Sequence, residues 1–283
     1  MRILVMGAAE YIRYHIVYEL IDKGYEVVIV ECVKSGNIEP IHPEARYYYG
    51  DICETGFINC VLDKERIDVV IYFSNNTAME QNLLNPLQGD ERHAYKVKVV
   101  MESIITHRVN KIIFSSSSSC YWESKHISMM ENNPVDYKNT YGLFQSEMDH
   151  LVKYCVKAFN VNFISLKYFN AADIGSKAYD NHLNKQEVFF VPLAIQMADK
   201  NKKVISVYKN NYETREEACA RSYVHVSNLA KIHVSAIDYL LSGDDWDTPN
   251  FESEFGFITK EVINVVGKAP ENHVADKDVW PDI

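Results

Sequence analysis

The chain of 283 residues sets 29 basic against 39 acidic side chains, and the resulting formal charge of −10 opposes broad electrostatic capture by nucleic acid or anionic membrane. Apolar residues at 47% and charged residues at 24% are ordinary globular usage, which excludes a disordered chain and leaves one large α/β unit or two closely joined domains. The cysteines, Cys32, Cys53, Cys60, Cys120, Cys155 and Cys219, show no C-x-x-C pair or metal-ligand rhythm, so reduced thiols and no metal are expected.

In chain order, Ile3 to Met6 is an apolar run that reads as a buried strand. It lacks the basic flank and long apolar stretch of a signal peptide. No later run approaches the ~18 apolar residues of a membrane span, so a cytoplasmic protein is expected. A helix is predicted from about Tyr11 to Lys23, with Ile12, Ile16, Leu20 and Ile21 near one face and Gly24 ending it. The second strand, Val27 to Val30, ends at Glu31, about twenty residues past the first turn, where an acidic side chain in a βαβ unit meets a ribose hydroxyl. The strands Val69 to Phe73, Lys111 to Phe114 and Asn162 to Leu166 follow, separated by helical patterns that include 93–107 and 142–158. Such alternation predicts an α/β fold with a Rossmann-like, doubly wound parallel sheet covered on both faces.

Beyond Tyr168 the alternation loosens through the polar stretches Asp173 to Gln186 and Lys209 to Cys219. The expected division is a dinucleotide-binding type of domain over 1–166 and a smaller C-terminal substrate lobe over 167–283. A helix near Val226 to Leu241 and strand-like pieces around Phe251 complete that lobe.

Six strings in register resemble the UDP-glucose 4-epimerase branch of the extended short-chain dehydrogenases. They are RILVMGAAEYIRYHIVYELIDKGYEVVIVE, YYYGDI, KIIFSSSSSCYWE, TYGLFQSE, LKYFNAADIG and ARSYVHVSNLAKIHV. The resemblance implies a cofactor-binding sheet with a small nucleotide-sugar lobe over its carboxyl edge. It also implies transient oxidation of a sugar C4 hydroxyl by NAD, which needs a dinucleotide cradle and a tyrosine able to lose its proton. Similar proteins extend several tens of residues further, so a shortened C-terminal lobe is expected.

Against that pattern many positions have changed. The family's first turn is G-x-x-G-x-x-G, and here its glycine positions hold Gly7, Glu10 and Arg13. The middle glycine lets the pyrophosphate approach the backbone at the helix N-terminus. One like-charge contact there, at about 4 Å and an effective dielectric of ~20, opposes binding by roughly 4 kcal/mol. Two readings stand open for Glu10: it satisfies the free N–H groups of its own helix, or the cradle is rearranged with Arg13 on a phosphate. Tyr72, Phe73, Ser74, Asn75 and Thr77 also depart from the family string, as does His93 to Val97, whereas Asp51 and Ile52 match its adenine-contacting G-D-I element. A strand-end turn explains those two equally.

The resemblance assigns proton transfer to Ser117, Tyr141 and a lysine one helical turn beyond the tyrosine, but Gln145 stands at the lysine position. A tyrosine without a neighbouring cation titrates near ~10 and stays a phenol at neutral pH. Neither Lys138 nor Lys153 is an obvious substitute. Of the sugar site, Asn170 and Arg221 match diphosphate-contacting residues, with a turn residue and an ion-paired arginine as the alternatives. An apolar residue near Phe189 replaces an expected asparagine, and 268–283 contains no arginine.

These changes point to an epimerase-like protein with no cofactor bound, retained as a binding or assembly partner. A homodimer, or a hetero-oligomer with an active relative, would form through helices 93–107 and 142–158, whose apolar faces suit an interface or core packing alike. The alternatives are an active nucleotide-sugar 4-epimerase or dehydratase that binds NAD through a rebuilt site, and a sensor of a UDP-sugar or other phosphorylated metabolite.

Overall fold

A computed structural model describes residues 1–7, 10–31, 42–73, 86–117, 140–168, 170–172, 205–209, 220–242, 250–251, 256–258 and 271–275. Six strands alternate with helices in the first part of the chain: β1 (Arg2–Met6), α1 (Glu10–Asp22), β2 (Glu26–Glu31), β3 (Arg46–Tyr49), α2 (Thr55–Lys64), β4 (Val69–Phe73), α3 (Pro86–Thr106), β5 (Lys111–Ser117), α4 (Thr140–Phe159) and β6 (Asn162–Tyr168). Further on come β7 (Asn170–Ala172), β8 (Ile205–Lys209), β9 (Ala220–His225), α5 (Val226–Ser242), β10 (Asn250–Phe251), β11 (Gly256–Ile258) and β12 (Glu271–Ala275).

The strands of the main sheet are short apolar runs, and in β4 all five residues are buried, as a strand covered on both faces requires. They form a seven-stranded sheet in the order β10-β6-β5-β4-β1-β2-β3. Every pairing in it is parallel. The order reverses between β1 and β4, and that switch point opens the crevice at the carboxyl ends of the strands where such sheets take ligands.

Two apolar cores flank the sheet. On one face Ile3, Val5, Ile113 and Leu166 meet Ile12, Ile16 and Leu20 of α1 and Leu229, Val234 and Ile237 of α5. On the other, Leu4, Val28, Val70 and Phe114 meet Ile58 of α2, Val97 and Val100 of α3, and Met148 and Val152 of α4. The apolar faces of 93–107 and 142–158, which suited interface and core alike, thus pack on the sheet. Val97, Val100 and Ile104 are completely buried, while Tyr95 and Tyr154 point outward.

Helix α1 ends one residue earlier than predicted and is stopped as predicted by Gly24. That residue has φ +82, and its amide donates to the Ile21 carbonyl at 2.8 Å. The expected boundary at 166/167 falls inside β6. Helix α5 packs against α1, and β10 pairs with β6, so both elements expected in the smaller lobe join the large sheet's body. Their apolar faces find their partners there because α1 and the end of β6 leave apolar surface uncovered. The smaller sheets are β11-β9-β7 and β12-β8.

Candidate functional site

The crevice begins at Gly7, where β1 ends. Its φ of +58 is a left-handed conformation, and an added Cβ would lie 2.9 Å from the Phe73 carbonyl oxygen and 3.3 Å from Ile52 Cδ1. Glycine is therefore required by the turn itself, whatever the ligand. Asp51 makes a turn of its own: its Oδ1 accepts from the Cys53 amide at 3.0 Å and its carbonyl from the Glu54 amide at 2.9 Å. Ile52 is buried beside Gly7. Both residues that match the adenine-contacting string thus have a structural task at the rim of the crevice.

Glu10 is the first residue of α1, and its side chain lies outside the described residues. Arg13, at the third glycine position, crosses from α1 to the end of β2 and forms an ion pair with Glu31 through Nη1 and Oε2. The Arg13 side chain is 6% exposed and that of Glu31 28%. At the position where an acid was expected to meet a ribose hydroxyl, the Glu31 carboxylate meets a guanidinium from its own chain. The reason is reach, since a glycine at position 13 cannot span the gap and an arginine can. The other expectation, Arg13 on a phosphate, concerns the same side chain, whose Nη1 here pairs with Glu31. The turn at Gly7 keeps a glycine conformation, while at Glu31 a cation of the chain itself stands beside the carboxylate.

Next in the crevice lie the ends of β5 and β6. Ser115 is buried, with Oγ 2.8 Å from the Tyr168 hydroxyl and 3.3 Å from His233 Nε2. His233 Nδ1 lies 2.8 Å from the Leu229 carbonyl and must carry the proton, so Nε2 accepts from Ser115, which in turn accepts from Tyr168. Burial lowers the His233 pKa to about 4, against the opposing hydrogen bond to Leu229. The imidazole is neutral and stacks on Phe73 at 5.5 Å. This node ties α5 to the sheet two residues before Ser117 on β5.

Ser117 closes β5, half-buried and in register with Tyr168. Tyr141 is the second residue of α4, its side chain outside the described residues. One turn further, Gln145 is completely buried. After another turn Asp149, also buried, accepts from Ser165 Oγ at 2.9 Å and lies 3.4 Å from Lys167 Nζ. Desolvation raises the Asp149 pKa, opposed by the charge of Lys167 and the bond from Ser165. Lys167 sits opposite Ser116 in register.

Two constellations escaped the sequence reading. Asp149 was legible as i+8 from Tyr141 on the same helical face, and Lys167 lay within a quoted string. The Ser115–His233–Tyr168 node joins residues 53 and 118 positions apart and left no local signal.

In the smaller sheet Asn170 pairs with Tyr223, and Arg221 with Phe257. The backbone therefore places Asn170 and Arg221 on adjacent strands, two residues apart in register; their side chains lie outside the described residues. So do Ser74, Asn75, Thr77, Lys138 and Phe189, and the side chain of His93. Among the described residues no group of His, Cys, Asp and Glu forms a metal site, and no helix is long and apolar enough to cross a membrane.

Comparison with known proteins gives a consistent result. Residues 3–248 match the model of the NAD dependent epimerase/dehydratase family. The chain is 30% identical over 271 residues to a UDP-glucose 4-epimerase of Lacticaseibacillus casei, covering 95% of this chain and 81% of that one. It is 28% identical over 265 residues to a UDP-glucose 4-epimerase of Halalkalibacterium halodurans, covering 94% and 79%. The crystal structure of UDP-glucose 4-epimerase from Bifidobacterium longum in complex with NAD+ and UDP superposes with a TM-score of 0.85 at 26% identity, covering 97% of this chain and 86% of that one.

Proposed function

The chain belongs to the NAD dependent epimerase/dehydratase family, and from that premise we propose that it is a UDP-glucose 4-epimerase-like pseudoenzyme, with NAD binding and epimerisation lost or severely impaired, retained as a binding or assembly partner. The observation that carries this reading is Gln145, fully buried one turn along α4 from Tyr141. A neutral amide supplies none of the positive charge by which a lysine at that place lowers a tyrosine pKa. The nearby buried cation, Lys167, pairs with Asp149 instead.

Purified protein tests this directly. After denaturation the supernatant is expected to contain no stoichiometric NAD, and conversion of UDP-galactose to UDP-glucose is expected to fall at least 1,000-fold below that of an active relative. Release of one NAD per chain, or conversion within tenfold of the relative, sinks the reading.

The second reading is an active nucleotide-sugar 4-epimerase or dehydratase working through a rebuilt NAD site. The family match and the likeness to a UDP-glucose 4-epimerase structure in complex with NAD+ and UDP support it. A sensor of a UDP-sugar or other phosphorylated metabolite is favoured by the neighbouring backbone positions of Asn170 and Arg221. Thermal stabilisation by UDP or UDP-glucose that disappears in Arg221→Ala supports that sensor. Assembly as a homodimer, or with an active relative, belongs to the same proposal and is read by light scattering of the purified protein.

A further inference from the structure

The Arg13–Glu31 pair bears on which ligands the crevice admits, an inference that rests on the reading above. Position 13 lies in the opening turns of α1 and residue 31 at the end of β2, the two elements that follow the first turn. Arg13 Nε and Nη1 and Glu31 Oε2 are cut off from solvent. In a βαβ unit the acid at this place accepts hydrogen bonds from the neutral hydroxyls of an adenosine ribose. A guanidinium offers the same carboxylate an opposite charge, and as part of the chain it is present without any loss of translational freedom. A ribose would have to displace it and leave a buried cation unpaired.

We propose that Arg13 is a built-in occupant of the adenosine-ribose subsite, and that its engagement of Glu31 is what makes the groove refuse adenosine nucleotides. Removing the guanidinium reopens the subsite. The ligand class regained is a nucleoside with a free ribose diol, recognised through Glu31.

Adenosine is the sharpest probe because it carries no phosphate, so the acidic side chain of Glu10 has no like charge to repel. Calorimetric titration of adenosine and NAD into wild type, Arg13→Ala, Arg13→Gln and Arg13→Ala/Glu31→Ala provides the test, with circular dichroism confirming the fold. The expected result is at least a tenfold gain in adenosine affinity in the folded single variants, lost again in the double variant. A folded Arg13→Ala or Arg13→Gln that binds adenosine no better than wild type overturns the proposal. So does a gain that survives in the double variant, since Glu31 would then not be the recognising group. Wild type found to hold NAD defeats the pseudoenzyme reading alone, because the adenosine ratio between variants still judges the role of Arg13.

Discussion

Strand β2 begins and ends with a glutamate, and each is met by arginine, yet the two ends differ in kind. At the amino end Glu26 binds Arg2 at 2.7 Å and Arg46 at 3.0 Å, and both arginines also reach Glu65, at 3.2 and 2.7 Å. Tyr48 adds a hydrogen bond to Glu65 at 2.8 Å. These residues come from β1, β2, β3 and the end of α2, so the network ties together the edge of the sheet opposite the ligand crevice. At the carboxyl end the pair of Arg13 with Glu31 joins a helix to a strand. One end links three strands and a helix end; the other carries the subsite proposed above.

Acid acts first at a node that belongs to neither end, and only later at the amino end. The folded His233 pKa lies at about 4, below its ordinary 6.5, so the unfolded chain takes up this proton first and folding loses stability as pH falls from 6.5 to 4. The loss is about 3 kcal/mol, and denaturant unfolding at pH 7, 5 and 4 should show it, with a flatter profile in His233→Gln. Glu65 has its pKa lowered, the hydrogen bonds from Tyr48 and Arg46 and the charges of Arg46 and Arg2 outweighing the desolvation that is its largest single influence. Its contribution is present above its ordinary 4.5 and disappears only as pH drops below that value. A single acid step centred below pH 4.5 would contradict the role assigned to His233.

Glu65→Ala should rank next. It leaves Arg2 and Arg46 with Glu26 but without the buried carboxylate they also share, and the Tyr48 hydroxyl without its acceptor, at a cost of about 2 kcal/mol, with nucleoside binding unchanged. Arg13→Ala reverses that pattern. Its stability cost is about 1 kcal/mol, because Glu31 retains a path to water, while adenosine binding changes by an order of magnitude. Equal effects of both variants on binding would erase the distinction between the two ends. Glu26→Gln should have the smallest effect and lose it in high salt, since that side chain is 54% exposed.

Much of the fold was legible because its signals are local. A strand buried on both faces needs apolar side chains at successive positions, and Val27 to Val30 and Val69 to Phe73 supply them. Gly24 marks the end of α1 because few other residues adopt its positive φ. Less of the site was legible. Position 13 read as a lost glycine beside a phosphate site, whereas the residue that explains it, Glu31, lies a helix and a turn away.

The residues alone determined a parallel, doubly wound sheet, the glycine turn that closes β1 and the absence of a lysine one turn after Tyr141, since each depends on neighbours a few positions apart. Tertiary structure decided which charges meet: Arg13 with Glu31, Lys167 with Asp149, Arg2 and Arg46 with Glu65. It also decided that α5 and β10 join the large sheet, and that the apolar faces of α3 and α4 turn to the core. The physical reason is the same throughout. Long side chains and amphipathic helices each have several possible partners, and only the packing of distant elements leaves one of them within reach.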